Sequence, residues 1–157
     1  MQPIYLALLL TLLLSACSKE RQTLNRIQGT FETIEFIITA PGTDSVLYSA
    51  TPTFEFGECA PRDTRCTMTV TDSDSTVYRY RYEYNVDVAS GIEQIGFTPE
   101  DGKTWSIGNN LSRVLHNHFD FELDKGELRL VSPDSRWTRD SIKGFDHYDI
   151  FITATKR

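Results

Sequence analysis

The chain has 157 residues, 22 of them acidic and 16 basic, which gives a net charge of −6. A chain of this length buries enough surface in one domain to build a core without a metal. The acidic balance argues against binding to nucleic acid or to anionic lipid through a basic patch, and it favours a cationic partner.

The first segment predicts export. Ile4 to Leu14 is a short run, apolar except for Tyr5 and Thr11, and is far below the ~20 residues that cross a bilayer. It leads into Leu14-Ser15-Ala16-Cys17, which resembles the lipobox of bacterial lipoproteins. That resemblance implies cleavage before Cys17 and acylation of this cysteine. The alternative is an ordinary secretory signal in which the cysteine occurs by chance.

The lipobox resemblance also implies a location and a division of the chain. Ser18 follows the cysteine, where Asp would often signal retention in the inner membrane. We therefore expect a lipid-anchored protein of the bacterial cell envelope, in the outer membrane, on either its periplasmic or its surface side. The expected division is a signal peptide over 1–16, a lipidated tether over 17–24 and one domain over 25–157.

Two cysteines remain after Cys17. Cys59 and Cys66 flank a polar segment that contains Pro61, and an even number of cysteines in an exported domain predicts a disulfide. Because both flanks alternate like strands, we expect a hairpin stapled across its base. A reactive or metal-binding pair would normally be closer in sequence, with other ligands nearby.

Most of the remaining chain alternates with period two between turn residues, which is typical of half-buried strands. Short helical turns are expected at residues 22–28 and 109–116. A polar loop is expected from Ser132 to Gly144. The predicted strands are residues 29–39, 46–50, 53–59, 66–71, 77–88, 92–97, 118–123, 127–131 and 146–155.

The predicted strands follow one another as sequential hairpins, which predicts an all-β domain of about eight strands. Closing such a meander into an antiparallel up-and-down barrel removes its unpaired edges. The main alternative is a sandwich, which usually needs Greek-key crossovers.

One short motif supports the barrel. Gly29-Thr30-Phe31 opens the first strand after a helical turn. It resembles the Gly-x-Trp of the lipocalin superfamily, and in particular of lipocalin-like bacterial lipoproteins, with Phe in place of Trp. The resemblance implies a lipocalin-like barrel in which Phe31 closes one end. It also implies, weakly, a role in binding a small molecule, because function depends on sites and not on folds.

The stretch VYRYRYEYNVDV, residues 77–88, places tyrosines on one face of a strand and charged residues on the other. Inward rings would either fill the core or line a ligand cavity, since an eight-stranded barrel is just wide enough for one small ligand. The candidate ligand-binding residues are Tyr78, Tyr80, Tyr82, Tyr84, Phe119, Phe121 and Tyr148. The other residues expected to face inward are Leu123, Leu128, Leu130, Ile150 and Ile152.

Other polar clusters predict no catalytic, cofactor or metal site. His116 and His118 would need a third metal ligand, for which His147 and Asp120 are the obvious candidates. The segment from Asp72 to Thr76 has acids at calcium-loop spacing but lacks the required glycine, and it therefore predicts a turn. No nucleophile has a local catalytic motif, so an enzyme is not expected.

Two functional hypotheses remain. The first is a non-enzymatic, lipocalin-like lipoprotein that binds a small apolar or amphipathic molecule inside the barrel. The second is a protein-interaction lipoprotein of the envelope, either an accessory subunit or an inhibitor of a cationic enzyme such as lysozyme. The charge of −6 fits the second, because an acidic surface speeds encounter with a basic partner.

Overall fold

The computed structural model describes residues 20–59, 66–86, 90–100, 110–136 and 147–157. Within these ranges the chain forms two helices and nine strands. The helices are α1 (20–27) and α2 (Asn110–Leu115). The strands are β1 (Gly29–Thr39), β2 (Val46–Ser49), β3 (Thr53–Phe56), β4 (Cys66–Thr71), β5 (Val77–Val86), β6 (Glu93–Pro99), β7 (His118–Asp124), β8 (Glu127–Arg136) and β9 (His147–Lys156).

The strands close into an antiparallel barrel. Each strand from β3 to β8 pairs with the next, and β1 pairs with both β3 and β9. Strand β2 pairs with the second half of β1 and β3 with the first half, so these two short strands together occupy one position in the barrel. The result is a closed eight-stranded barrel, and the predicted all-β, up-and-down architecture is confirmed.

Alternation along the strands builds the core. In β9, buried residues alternate regularly with half-buried ones, as expected when one face of a sheet is dry. The inward side chains form a single apolar cluster, which also includes residues of α1 and α2. The largest fully buried side chains are aromatic: Phe31, Phe36, Phe54, Phe56, Tyr80, Tyr82, Phe97, Phe119 and Tyr148.

Helix α1 covers one end of the barrel, which we call the α1 end. Its Leu24 and Ile27 are 3% and 1% exposed. The guanidinium of Arg21 donates to the Cys59 carbonyl at 3.1 Å, and that of Arg26 donates to the Leu123 carbonyl at 2.7 Å. The helix is thus bound to two separate hairpins. Because Leu24 is already in the core, packed structure begins before residue 25.

The expected disulfide is present. Cys59 and Cys66 are bonded, with their Cα atoms 4.9 Å apart, which lies within the normal range for a disulfide. Both side chains are buried in the core cluster. The bond lies at the α1 end, where it joins β4 to the residues that follow β3.

Strand β8 is longer than the sequence predicted, and the expected start of a polar loop at Ser132 is wrong. The strand continues to Arg136 through an irregularity between Ser132 and Ser135. These serines remain buried because their hydroxyl oxygens lie 2.7 Å apart and Asn117 donates to Ser135 Oγ at 2.7 Å. Satisfied hydroxyls can stay inside a core. The rest of the expected loop, from residue 137, lies outside the described residues.

The hairpin between β7 and β8 has the tightest described turn. Lys125 and Gly126 both have positive φ, 47° and 86°. They lie between the paired residues Asp124 and Glu127. Two successive residues of positive φ make the turn that suits the twist of flanking strands.

The only helices in the described ranges are α1 and α2, and neither is long and apolar enough to cross a bilayer. The predicted signal peptide and Cys17 lie outside the described residues.

Candidate functional site

The tyrosine row of β5 points into the barrel. Tyr80, Tyr82 and Tyr84 are 0%, 1% and 3% exposed. Tyr78 lies closer to the end of the barrel opposite α1, where it is half-buried and packs against the core. The charged side chains between them face outward. The predicted inward orientation is confirmed. Residues 87 and 88, which the sequence placed at the end of this strand, are outside the described ranges.

Aromatic rings meet across the barrel interior. The ring of Phe56 on β3 lies 5.2 Å from that of Tyr82 and 6.3 Å from that of Phe97 on β6. Phe97 in turn lies 5.5 Å from Phe119 on β7. Because β3 and β6 are not neighbours in the sheet, these contacts span the interior. Rings at such separations are in direct contact.

The other nominated inward residues fit the same packed interior. Phe121 pairs edge-on with Tyr84 at 5.8 Å, and Leu123 is half-buried against the cluster. A side chain that bordered a space large enough for water would retain accessible surface. Several nominated residues have an exposure of zero, so the interior around them is filled. These are Phe31, Phe119, Leu128, Leu130, Ile150 and Ile152.

The buried tyrosine hydroxyls differ in their partners. Tyr82 donates to the Gly57 carbonyl at 3.1 Å and lies 3.3 Å from Cys59 Sγ; its burial raises its pKa. The Tyr84 hydroxyl makes no well-formed hydrogen bond, although the side chains of Glu93 and Thr23 are near. Burial, then the proximity of Glu93, raises the Tyr84 pKa to about 12. Both hydroxyls therefore stay neutral at physiological pH.

The most unusual surface is on the outside of the barrel. Ile37 on β1 is paired with Phe151 on β9, and Phe151 is paired with Val131 on β8. These three outward side chains make a continuous apolar row across three strands, and each is only half-buried. We call them the outer row. Sequence reasoning missed the outer row. Ile37 lies between Phe36 and Ile38, and Phe151 lies between Ile150 and Ile152, so these two apolar triplets, which interrupt the alternation, were the available signal. Only the strand register aligns them with Val131.

Carboxylates surround the outer row. A groove of about 670 Å³ runs over it. Among the charged lining residues in the described part of the chain, Arg129 is the only cation, and its guanidinium lies 3.9 Å from the Glu122 carboxylate. The groove thus combines an apolar floor with an acidic edge, a combination that suits a basic segment with an apolar side chain. The acidic lining residues are Glu35, Asp44, Glu127 and Asp149.

The described histidines do not converge. His147 Nδ1 lies 2.8 Å from Asp134 Oδ1, and Asp120 accepts a hydrogen bond from Gln94 at 3.1 Å. His116 is half-buried, and this burial lowers its pKa. Within the described ranges no three His, Cys, Asp or Glu side chains come together in a way that could hold a metal ion.

The acidic segment after β4 is a turn, as its sequence predicts. Asp72 Oδ1 accepts from the Ser73 amide at 2.7 Å, and Asp74 Oδ1 accepts from the Thr76 amide at 2.8 Å. The latter contact lowers the pKa of Asp74. The carboxylates therefore cap their own backbone.

Comparison with known proteins gave no relatives: no family model, curated protein or solved structure matches the chain.

Proposed function

We propose that this is a lipid-anchored, non-enzymatic protein of the bacterial envelope that binds a basic protein on the outside of its barrel. The observation that carries the proposal is the outer row of Ile37, Phe151 and Val131 with its edge of carboxylates. Of the two hypotheses from the sequence, the described geometry supports protein interaction better than a ligand inside the barrel.

The filled interior is the reason for this choice. A lipocalin-like binder needs a cavity among its inward side chains. Here Tyr80 and Phe119 have no exposed surface, and the ring of Phe56 on β3 lies against the rings of Tyr82 on β5 and Phe97 on β6. The tyrosines and their neighbours therefore act as a core in the described part of the chain.

Binding on the outer row follows ordinary interface physics. Aromatic and aliphatic side chains at the centre of a contact contribute most of its binding energy, while charges at its edge set the association rate and its salt dependence. Phe151 lies at the centre of the row, between its two neighbours in register. The acidic edge, on a chain whose net charge is −6, attracts a basic partner. Such a partner is a cationic enzyme, for example lysozyme, or a basic subunit of an envelope complex.

Photo-crosslinking tests the surface directly. A photoreactive amino acid replaces Val131 in the outer row or, as a control, Thr69, which projects from the outer face of β4 on another part of the barrel. Cells that export the protein are irradiated. We expect a discrete adduct with a basic protein from position 131 and none from position 69. The absence of an adduct, or the same adducts from both positions, would contradict the proposed surface.

A matched pair of charge variants tests the acidic edge. Glu35→Gln removes a carboxylate from the groove, and Glu55→Gln makes the same change on the outer face of β3. With the crosslinked partner in purified form, Glu35→Gln should slow association at low salt, while Glu55→Gln should change it little. Equal effects would show that only the total charge matters.

A Cys17→Ala variant tests the anchor, because it should move the protein from the membrane to the soluble fraction. Unchanged association with membranes would contradict the lipid anchor.

A further inference from the structure

We infer that the α1 end of the barrel rests on the lipid surface, with Val86 and Ile92 in contact with lipid. The inference depends on the anchor at Cys17 proposed above, and it adds the orientation of the barrel and a second, non-covalent contact with the membrane.

The length of chain between anchor and barrel sets the first constraint. Only Ser18 and Lys19 separate Cys17 from residue 20, where α1 is already formed. Even fully extended, this connection spans only about 11 Å. The polar layer on each side of a bilayer is several ångströms thick. A barrel anchored so closely has its α1 end within reach of the lipid headgroups.

Helix α1 is fixed to the barrel, so the short connection between Cys17 and α1 also limits the distance between the barrel and the membrane. Arg21 and Arg26 donate to carbonyls of two hairpins. Lys156 Nζ, at the end of β9, donates to the Arg26 carbonyl at 3.0 Å. Leu24 and Ile27 are buried beneath the helix. The helix therefore does not lengthen the connection, and an anchor at residue 17 orients the whole domain.

Two of the large exposed apolar side chains lie at this same end. Val86 ends β5 and is 41% exposed; Ile92 precedes β6 and is 44% exposed. Ile92 and Arg26 of α1 line the same open groove, which has a volume of about 890 Å³. Exposed apolar side chains beside a lipid attachment point gain free energy by leaving water for the interface.

Charge at the α1 end is mixed and does not select anionic lipid. The exposed cations Lys125 and Lys156 are accompanied by the exposed carboxylates of Asp124 and Glu127. The contact is therefore apolar in origin and should form on neutral lipid.

Two exposed valines at the opposite end serve as matched controls. Val46 begins β2 and is 49% exposed, and Val77 begins β5 and is 55% exposed. Val77 and Val86 lie at opposite ends of one ten-residue strand. At the usual rise and barrel tilt this strand separates them by about 25 Å along the barrel axis.

The experiment places a fluorescent label at each of the four positions. The lipidated mature protein carries Val86→Cys, Ile92→Cys, Val46→Cys or Val77→Cys. The new cysteine is then its only free thiol, because Cys17 is acylated and Cys59 is bonded to Cys66. Each labelled protein is reconstituted in phosphatidylcholine vesicles that contain a nitroxide-bearing lipid. Flotation of the vesicles is measured first and quenching of the label second.

We expect every variant to float with the vesicles, and the labels at positions 86 and 92 to be quenched several-fold more than those at 46 and 77. Flotation with equal quenching at all four positions would overturn the orientation while leaving the anchor intact. Labels at 86 and 92 that are shielded from water but not quenched would overturn the lipid contact in favour of a protein contact. Failure to float would overturn both the anchor and the orientation.

Discussion

The outer faces of two parts of the barrel differ although their inner faces are alike. On β3, β4 and β5 the outward side chains of the paired rows are polar except for Val77 at the end of β5, and Glu55, Thr69 and Arg79 form one such polar row. On β1, β9 and β8 one such row is the apolar outer row, with Phe151 at its centre. Both parts contribute fully buried residues to the core. Burial inside the barrel therefore does not explain the difference outside.

The two outer faces differ in a way that the requirements of folding do not explain. Alternation requires inward residues to be apolar, but it leaves the outward residues free, so a polar outer face is the default for a barrel in water. An aligned apolar row across three strands departs from that default. Neighbouring pairs do stabilise a sheet, but a row edged by carboxylates on a half-open groove is also suited to a partner. The polar part follows the default for a barrel in water, so the outer row is the feature of the outer face that the proposed binding would use.

The largest effects should come from the inner faces and should be similar in the two parts. Tyr82→Ala removes a ring that touches Phe56, and Ile152→Ala opens the core on β9. Tyr82→Ala should lower the free energy of unfolding by about 3–5 kcal/mol, and Ile152→Ala should lower it by about 2–5 kcal/mol, since large-to-small changes leave a cavity. Denaturant titration measures both. A loss near zero for Tyr82→Ala would mean that its ring lines open space, which would revive the hypothesis of a ligand inside the barrel.

Reduction of the disulfide should have the next largest effect and should act on the polar part alone. The bond joins Cys59 to Cys66 across a sequence separation of 7 residues. On the chain-entropy model its loss costs about 2–3 kcal/mol. A Cys59→Ala/Cys66→Ala double variant should therefore unfold at lower denaturant but retain partner binding on the outer row. Loss of binding while the variant is still folded would place the partner on the stapled hairpin instead.

Much of the fold was predictable from the sequence because period-two alternation is a local signal. The strands β1, β5, β7 and β9, the stapled hairpin and the inward tyrosines all follow from residues close in the chain. The end of β8 was missed because Ser132 and Ser135 resemble loop residues. Their hydrogen bonds to each other and to Asn117, 18 residues away from Ser135 in sequence, keep them inside.

The candidate site was less predictable, for a physical reason. Ile37, Val131 and Phe151 come from three strands, two of them separated by about 90 residues of chain, and register alone brings them together. Whether inward tyrosines fill a core or line a cavity likewise depends on which rings meet across the barrel. The contacts of the Phe56 ring with Tyr82 and Phe97 are of this kind, and no local pattern contains that information.

Substitutions on the outer faces should have small effects on folding but unequal effects on binding. Phe151→Thr should change the free energy of unfolding by no more than about 1 kcal/mol, because surface positions contribute little. It should weaken the partner's affinity by tenfold or more, as the loss of a central aromatic side chain does. Thr69→Ala on β4 is the control and should change neither. Equal affinities for the two variants would remove the distinction between the outer faces.

The smallest effects should come from two hydroxyls inside the polar part. Tyr82→Phe loses the hydrogen bond to the Gly57 carbonyl and should cost about 1 kcal/mol, whereas Tyr84→Phe removes a buried hydroxyl that lacks a well-formed partner and should be neutral or slightly stabilising.

The dependence of stability on high pH provides a second test of Tyr84→Phe. Burial raises the pKa of Tyr84 from 10.0 to about 12, so the folded state holds this proton more tightly than the unfolded chain does. This group therefore leaves stability unchanged below pH 10.0 and lowers it as pH rises from 10.0 toward 12, where the unfolded chain ionises first. Unfolding titrations across this range should show a shallower loss for Tyr84→Phe than for the unsubstituted protein. An unchanged slope would mean that the Tyr84 hydroxyl reaches solvent, and that the α1 end is more open than its packing indicates.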